Sequence, residues 1–408
     1  MQPTSIRSPT TGSLIFLCFL VAMFEGVDIQ AMGVAAPGLA AAFHLTPAQM
    51  GEVMSASTVG LMIGAAAGGW LSDGIGRARV IVLSMAVLSI FSLATVAAPG
   101  YVSLRIIRVL AGLGLGGAFP NLIAIVAERT PSRNRTVSLA WMYIGLPVGG
   151  AAAGLVATWT GAGDWRPVFY LGGFGPLLLI PLLLAGLPQS TPSNAPPVRA
   201  RQPRPIAAEI RSVRAAPGMT VRLWVSYFFT LLVVYLLLNW LPSLMMAAGY
   251  SHLQAALSSI VLNAGAVLGS LVLGALADKV VARYSLVVTY LGMAASLLVL
   301  ALGHGASLFA GAFLAGFFVI GGQLILYAMA PALYPTNVRG AGVGAAVAAG
   351  RLGSISGPLL AGVWLSHGFG PDTVPLIAIP GLLLAFVTAL SLARRPELAK
   401  TQTVSEAG

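Results

Sequence analysis

The chain has 408 residues, 57% of them hydrophobic and only 8% charged. That composition excludes a single soluble core and requires lipid as solvent, so the chain reads as a polytopic membrane protein. Its net charge of +11 would suit nucleic acid only if it formed a patch, and its placement along the chain follows membrane topology instead.

Apolar runs of about 18 or more residues recur at roughly 13–36, 50–71, 79–98, 102–127, 137–159, 166–187, 221–247, 253–276, 284–303, 307–330, 338–362 and 373–393. They are continuous rather than alternating, which excludes a β-barrel and gives an all-α membrane protein of twelve transmembrane helices. With both termini placed in the cytoplasm, 18 of the 22 Lys and Arg fall in cytoplasmic segments or at inner helix edges, as the positive-inside rule requires. Only Arg166 falls at an outer loop, and Arg105, Arg108 and Arg351 lie inside spans. His44, His252, His304 and His367 all fall at outer loops or helix ends.

The first run contains Glu25 and Asp28. Near the bilayer midplane each carboxylate costs about 3 kcal/mol on insertion scales. Their i, i+3 spacing puts both on one helix face, which must look into a bundle or a watery cavity. This is the pattern of a proton-handling transporter. The run is of span length, carries two acids and is followed by eleven more, so it is read as a retained helix and not a cleaved signal. Cys18 lies within it, so no disulfide framework is expected.

The second and third runs are joined by Gly69-Trp70-Leu71-Ser72-Asp73-Gly74-Ile75-Gly76-Arg77-Ala78-Arg79, and the fourth carries Arg108-Val109-Leu110-Ala111-Gly112-Leu113-Gly114-Leu115-Gly116-Gly117. Counted from the outer ends, Asp28 and Arg108 lie at depths of ~12 and ~9 Å at 1.5 Å per residue, so the two can meet. Such a pair favours the ionised acid and proton release, whereas separation in a dry cavity favours proton uptake. A static structural ion pair is the alternative.

Residues 188–220 interrupt the apolar pattern with seven prolines and Arg199, Arg201, Arg204, Arg211 and Arg214, which suits a cytoplasmic linker with a short amphipathic helix from Ile206 to Ala215. The expected organisation is a six-helix half over 1–187, the linker over 188–220, and a second six-helix half over 221–408. A shift of 204 carries Gly112 to Gly316, Gly117 to Gly321, Pro131 to Pro335 and Arg135 to Arg339, and a shift of 205 carries Asp73 to Asp278. Two like-oriented halves with substrate held between them follow from this repeat. The chemistry is not repeated: Arg108 maps to Ala312 and Asp28 to Leu232.

The connection around Asp73, its counterpart Gly274-Ala275-Leu276-Ala277-Asp278-Lys279, and the Arg-glycine run of helix four resemble the signatures of the major facilitator superfamily. Gly74 departs from that signature, where the family has Arg or Lys, while Lys279 keeps it in the second half. The resemblance implies a cytoplasmic gate built from Gly69, Asp73, Gly76, Arg77, Arg79, Asp278 and Lys279. The stretch Leu17 to Asp28 is similar to the first helix of the aromatic acid:proton symporter family, with Glu25 and Val27 departing from its majority pattern as its 3-(3-hydroxyphenyl)propionate transporters do. Phe228 to Tyr235, Asn239-Trp240-Leu241-Pro242 and Gly342 to Gly362 carry the same likeness.

The resemblance implies uptake of an aromatic carboxylate with protons, through Glu25, Asp28 and Arg108, across the bacterial inner membrane by a monomer. A hydroxybenzoate or protocatechuate symporter and an uncoupled facilitator stay open. An arylalkanoate needs a fixed cation and aromatic walls. Arg351, about 20 Å into helix eleven, supplies the cation. Tyr143, Tyr235, Asn239, Trp240, Gln323 and Tyr327 are candidates for ring and phenol contacts. No cofactor, metal or nucleic acid is expected, and no span carries the His or paired ligands that an intramembrane enzyme would need.

Overall fold

The computed structural model describes residues 11–131, 134–161, 163–188, 217–279, 282–334 and 339–393. Among them twelve helices are long and apolar enough to cross a membrane. They are α1 (Thr11–Phe43), α2 (Pro47–Ile75), α3 (Arg77–Val96), α4 (Tyr101–Arg129), α5 (Arg135–Trp159), α6 (Arg166–Gly186), α7 (Pro217–Ala247), α8 (His252–Lys279), α9 (Ala282–Leu302), α10 (Ala306–Ala332), α11 (Arg339–Ser366) and α12 (Thr373–Ala393). The linker residues 189–216, including the amphipathic helix expected from Ile206 to Ala215, lie outside the described residues.

Several helices overrun the apolar runs. The 33 residues of α1 span about 50 Å at 1.5 Å per residue, beyond the ~30 Å hydrocarbon thickness. Their starts are set by capping side chains rather than by hydropathy. Thr46 N–H donates to Gln49 Oε1 at 2.9 Å while Gln49 N–H donates to Thr46 Oγ1 at 3.3 Å, a reciprocal capping box that opens α2. Ser251 and Gln254 repeat it at α8 with the same two distances. Likewise Ser103 Oγ receives the Gly100 N–H at 3.1 Å before α4, and Ser307 Oγ receives the His304 N–H at 2.8 Å before α10. The internal repeat therefore extends to the caps, at the offsets that relate the glycines.

Cα packing groups the chain into two units, one of Met1–Ala35, Ala56–Thr160 and Asp164–Pro196 and one of Ala36–Ser55, Gly161–Gly163 and Pro197–Gly408. Lipid gives helices no hydrophobic drive to associate, so small residues that admit close backbone approach hold each unit together. In the first unit Gly60 and Gly64 of α2 face the Val109 and Leu113 carbonyls of α4, and Gly112 of α4 faces the Ser57 carbonyl of α2. In the second unit Gly265 and Gly269 of α8 face Phe313 and Phe317 of α10, and Gly316 faces the Leu262 carbonyl. The α1–α5 seam, through Gly145 and Gly149 against Phe19 and Met23, recurs as α7–α11, through Gly353 and Gly357 against Phe228 and Leu232. Within the second unit Ser55 Oγ also donates to the Ile355 carbonyl at 2.8 Å.

Prolines inside α1, α4, α5, α6, α7, α10, α11 and α12 are tolerated where neighbours satisfy the freed backbone groups. At Pro358 of α11 the proline's own carbonyl also accepts the Trp240 indole N–H of α7 at 3.0 Å.

The close approach in the α2–α3 motif belongs to Gly68, not to Gly69. A methyl group at Gly68 would lie 2.6 Å from the Gly117 Cα, whereas Gly69 has open space around it, because one residue turns the helix face by 100°. Gly68→Val is expected to lower stability by about 2 kcal/mol, seen as a lower melting temperature in detergent. Gly69→Val should leave that temperature unchanged.

Candidate functional site

The first polar constellation forms where α1, α2, α4 and α6 meet. A methyl group at Gly26 would lie 2.8 Å from the Leu146 carbonyl carbon, so α1 is pressed against α5 between its two acids. Glu25 is 2% exposed and Asp28 is fully buried. Arg108, also fully buried, donates from Nη1 to Asp28 Oδ1 at 3.1 Å and from Nη2 to Asp28 Oδ2 at 2.6 Å. This is a bidentate pair, the strong and directional form of the contact. The Nε–H donates to Ser57 Oγ at 3.0 Å, and the Phe169 ring lies 5.5 Å from the Arg108 Cζ. Asp28 and Arg108 thus meet at the level that their depths along the helices predict, whereas depth does not single out Ser57 or Phe169. The repeat could have found Ser57: its counterpart, 205 residues on, is Leu262, and the same polar-to-apolar divergence marks Arg108 and Asp28.

The second constellation lies in the other unit. Arg351, half-buried on α11, donates from Nη1 to Tyr235 Oη at 2.9 Å. Tyr327 lies within electrostatic reach of both residues, and its hydroxyl accepts the Gln323 Nε2–H at 2.9 Å. Tyr227, missed from the sequence, packs edge-on against Tyr327 at 5.5 Å and donates its own hydroxyl to the Leu326 carbonyl at 3.0 Å. Gln323 and Tyr327 follow a π-helical turn, Gly316–Ile320, inside α10, a feature that often marks functional segments. Tyr235 and Tyr327 each accept one hydrogen bond, so each keeps its own O–H to donate to an acceptor such as a carboxylate.

Other predicted contacts are otherwise engaged. Trp240 is 4% exposed, and its one donor is committed to Pro358, so it acts as a helix–helix fastener and has no N–H left for a phenol. The Asn239 amide donates to the Tyr235 carbonyl one turn back at 2.8 Å and so supports the helix that carries Tyr235. Tyr143, in the first unit, packs edge-on against Phe119 at 5.2 Å. Arg105 is exposed and donates to Tyr101 Oη at 3.1 Å.

At the α2–α3 connection Gly76 adopts φ 88°, the left-handed region that favours glycine, and precedes α3. Arg77 forms an ion pair with Glu128 at the end of α4. Asp73 and Arg79 are exposed. Asp278 and Lys279 lie in the last turn of α8, and their side chains are outside the described residues.

The model of the Major Facilitator Superfamily matches residues 18–307 and 263–408. The chain belongs to that superfamily. It is a multi-pass membrane transporter and not an enzyme. It is 45% identical to the 3-(3-hydroxy-phenyl)propionate transporter of Escherichia coli (strain K12), covering 96% of this chain and 97% of that one. It is 34% identical to the gallate transporter of Pseudomonas putida over 93% of this chain and 90% of that one. Among solved structures, the D-xylose-proton symporter superposes with a TM-score of 0.76 at 18% identity, over 93% and 97% of the two chains, which establishes a shared fold.

Removing Arg108 would leave Asp28 as a bare buried charge. Arg108→Gln is expected to cost about 3–5 kcal/mol at neutral pH, read as thermal stability in detergent. The loss should shrink as pH falls, because protonation removes the stranded charge. The double variant Asp28→Asn, Arg108→Gln should regain most of it.

Proposed function

We propose that the chain imports an aromatic carboxylate, 3-(3-hydroxyphenyl)propionate, together with protons, by alternating access across the bacterial inner membrane, as a monomer with both termini cytoplasmic. The observation that carries the proton half of this reading is the fully buried bidentate Asp28–Arg108 pair. A carboxylate held this way releases its proton when paired and takes one up when the guanidinium withdraws. Glu25, one turn away on the same helix, extends the path.

The acid half is supported by Arg351. Always charged and planar, it suits two-point binding of a carboxylate. The Tyr235 and Tyr327 hydroxyls add donors, and the Tyr227 and Tyr327 rings add aromatic wall for the phenyl group. The 45% identity to an arylpropionate transporter favours this substrate, and the gallate relative makes a hydroxybenzoate the second reading. Asp73, Arg77, Arg79 and Lys279, with Gly69, Gly76 and Asp278, are assigned to the cytoplasmic gate, where helix ends make and break charged contacts during rocking.

Asp28→Asn should abolish accumulation driven by a proton gradient while preserving substrate exchange. Gradient-driven accumulation at wild-type level would remove Asp28 from the role. Arg351→Lys keeps the charge but loses the two-point geometry and should weaken arylpropionate binding roughly tenfold, about 1.4 kcal/mol. Unchanged affinity in direct binding would move the carboxylate site elsewhere. A panel of arylpropionates and hydroxybenzoates in the same assay decides between the two substrate classes.

A further inference from the structure

Arg108 is held by more than its counter-charge. Both of its Nη groups face Asp28 on α1, its Nε–H is fixed on Ser57 Oγ of α2 at 3.0 Å, and Phe169 of α6 lies 5.5 Å from its Cζ. The Nε bond matters for geometry. A guanidinium turns about its Cδ–Nε bond, and a fixed Nε–H sets the plane in which both Nη groups point.

Ser57 cannot drift away from this position. Its backbone carbonyl is packed against Gly112, one turn beyond Arg108 on α4, where no side chain intervenes. The same seam in the second unit packs the Leu262 carbonyl against Gly316, and Leu262 is 1% exposed with no polar group to offer. The seam itself therefore does not need a hydroxyl. Ser57, Arg108 and Asp28 all correspond to apolar residues of the second unit, Leu262, Ala312 and, in the register of the α1–α5 and α7–α11 seams, Leu237, so the serine goes with the charges and not with the packing.

We propose that Ser57 is a positioning residue for the Asp28–Arg108 pair: it locks the guanidinium plane and thereby sets the pH at which Asp28 takes up a proton. Phe169 holds the guanidinium in place while Asp28 is neutral, because a cation over a ring face keeps part of its attraction without a carboxylate. The inference rests on the reading of Asp28 as the proton carrier. Among the described residues of the first unit, Arg108 pairs with Asp28 and Glu25 stands one turn earlier on α1. On α2 the nearest is Glu52, five residues and about 7.5 Å along the axis from Ser57. From α5 and α6 the approaching groups are Gly149, packed against the Val27 amide, and Phe169.

The locked pair favours ionised Asp28, so loosening it favours the protonated acid and moves uptake to higher pH. The test uses dicyclohexylcarbodiimide, which adds to protonated carboxyls in apolar surroundings, with Asp28 labelling read by mass spectrometry from pH 5 to 9 in purified full-length protein. A Glu25→Gln background isolates Asp28. In that background Ser57→Ala should move the half-labelling pH upward by about one unit, and Ser57→Thr, which restores the hydroxyl, should return it. Ser57→Cys, a weaker acceptor, should give a smaller shift of the same sign and decides the matter if the alanine variant does not fold. Superimposable labelling curves for serine and alanine or cysteine proteins, or failure of threonine to rescue, would overturn the proposal. Uptake by the wild type, measured in parallel with and without a proton gradient, separates the two readings. A labelling shift in a protein whose accumulation ignores the gradient leaves the positioning role standing and removes proton coupling.

Discussion

In hydrocarbon an apolar side chain gains nothing by exchanging lipid for a neighbouring helix. Association must then come from close backbone approach and from polar groups that have no other partner. Both are on display in the seams of the two units. Gly112 lets α4 press onto the Ser57 carbonyl, and Gly316 lets α10 press onto the Leu262 carbonyl. Bulkier residues at these points would separate the helices and with them every polar contact that the seams align. The Nε bond of Arg108 to Ser57 exists because that seam is closed one turn away.

The two halves of the repeat share a frame and differ in what it carries. Capping boxes at Thr46 and Ser251, serine caps at Ser103 and Ser307, and the α2–α4 and α8–α10 glycine seams recur at offsets of 204 or 205 residues, and the α1–α5 seam recurs as α7–α11 at 208 or 209. Chemistry does not recur. The first unit buries a bidentate ion pair whose Nε–H is also satisfied, whereas the matching positions of the second unit are Leu237, Leu262 and Ala312. The second unit places its cation elsewhere, at Arg351 in mid-α11, half-buried and backed by phenol hydroxyls. A fully buried charge with a fixed partner suits a group that changes protonation. A half-buried one suits a group that meets a charged ligand from solution.

The polar side chains of the second constellation are oriented by their neighbours. Tyr227 fixes the Tyr327 ring and anchors itself on the Leu326 carbonyl, while Asn239 braces the helix turn that presents Tyr235. Trp240, aromatic and close to this region, is committed to the Pro358 carbonyl and joins α7 to α11 instead.

Composition and hydropathy by themselves determined the twelve spans and the all-α class, because burying backbone in lipid leaves no other option for continuous apolar runs. The two-half repeat was legible from glycines and prolines at a fixed offset, and the Asp28–Arg108 partnership from depth alone, since axial rise per residue is constant. Helix ends were less legible. Hydropathy put the start of the second span near residue 50, whereas the Thr46 capping box begins α2 at Pro47. Only the tertiary structure decided which face each residue presents. It assigned the close approach to Gly68 over Gly69, committed Trp240 to a carbonyl, brought Ser57 and Phe169 to Arg108, and set Tyr227 against Tyr327. Those choices depend on helix rotation and on contacts between residues far apart in the chain, which periodicity along one helix does not encode.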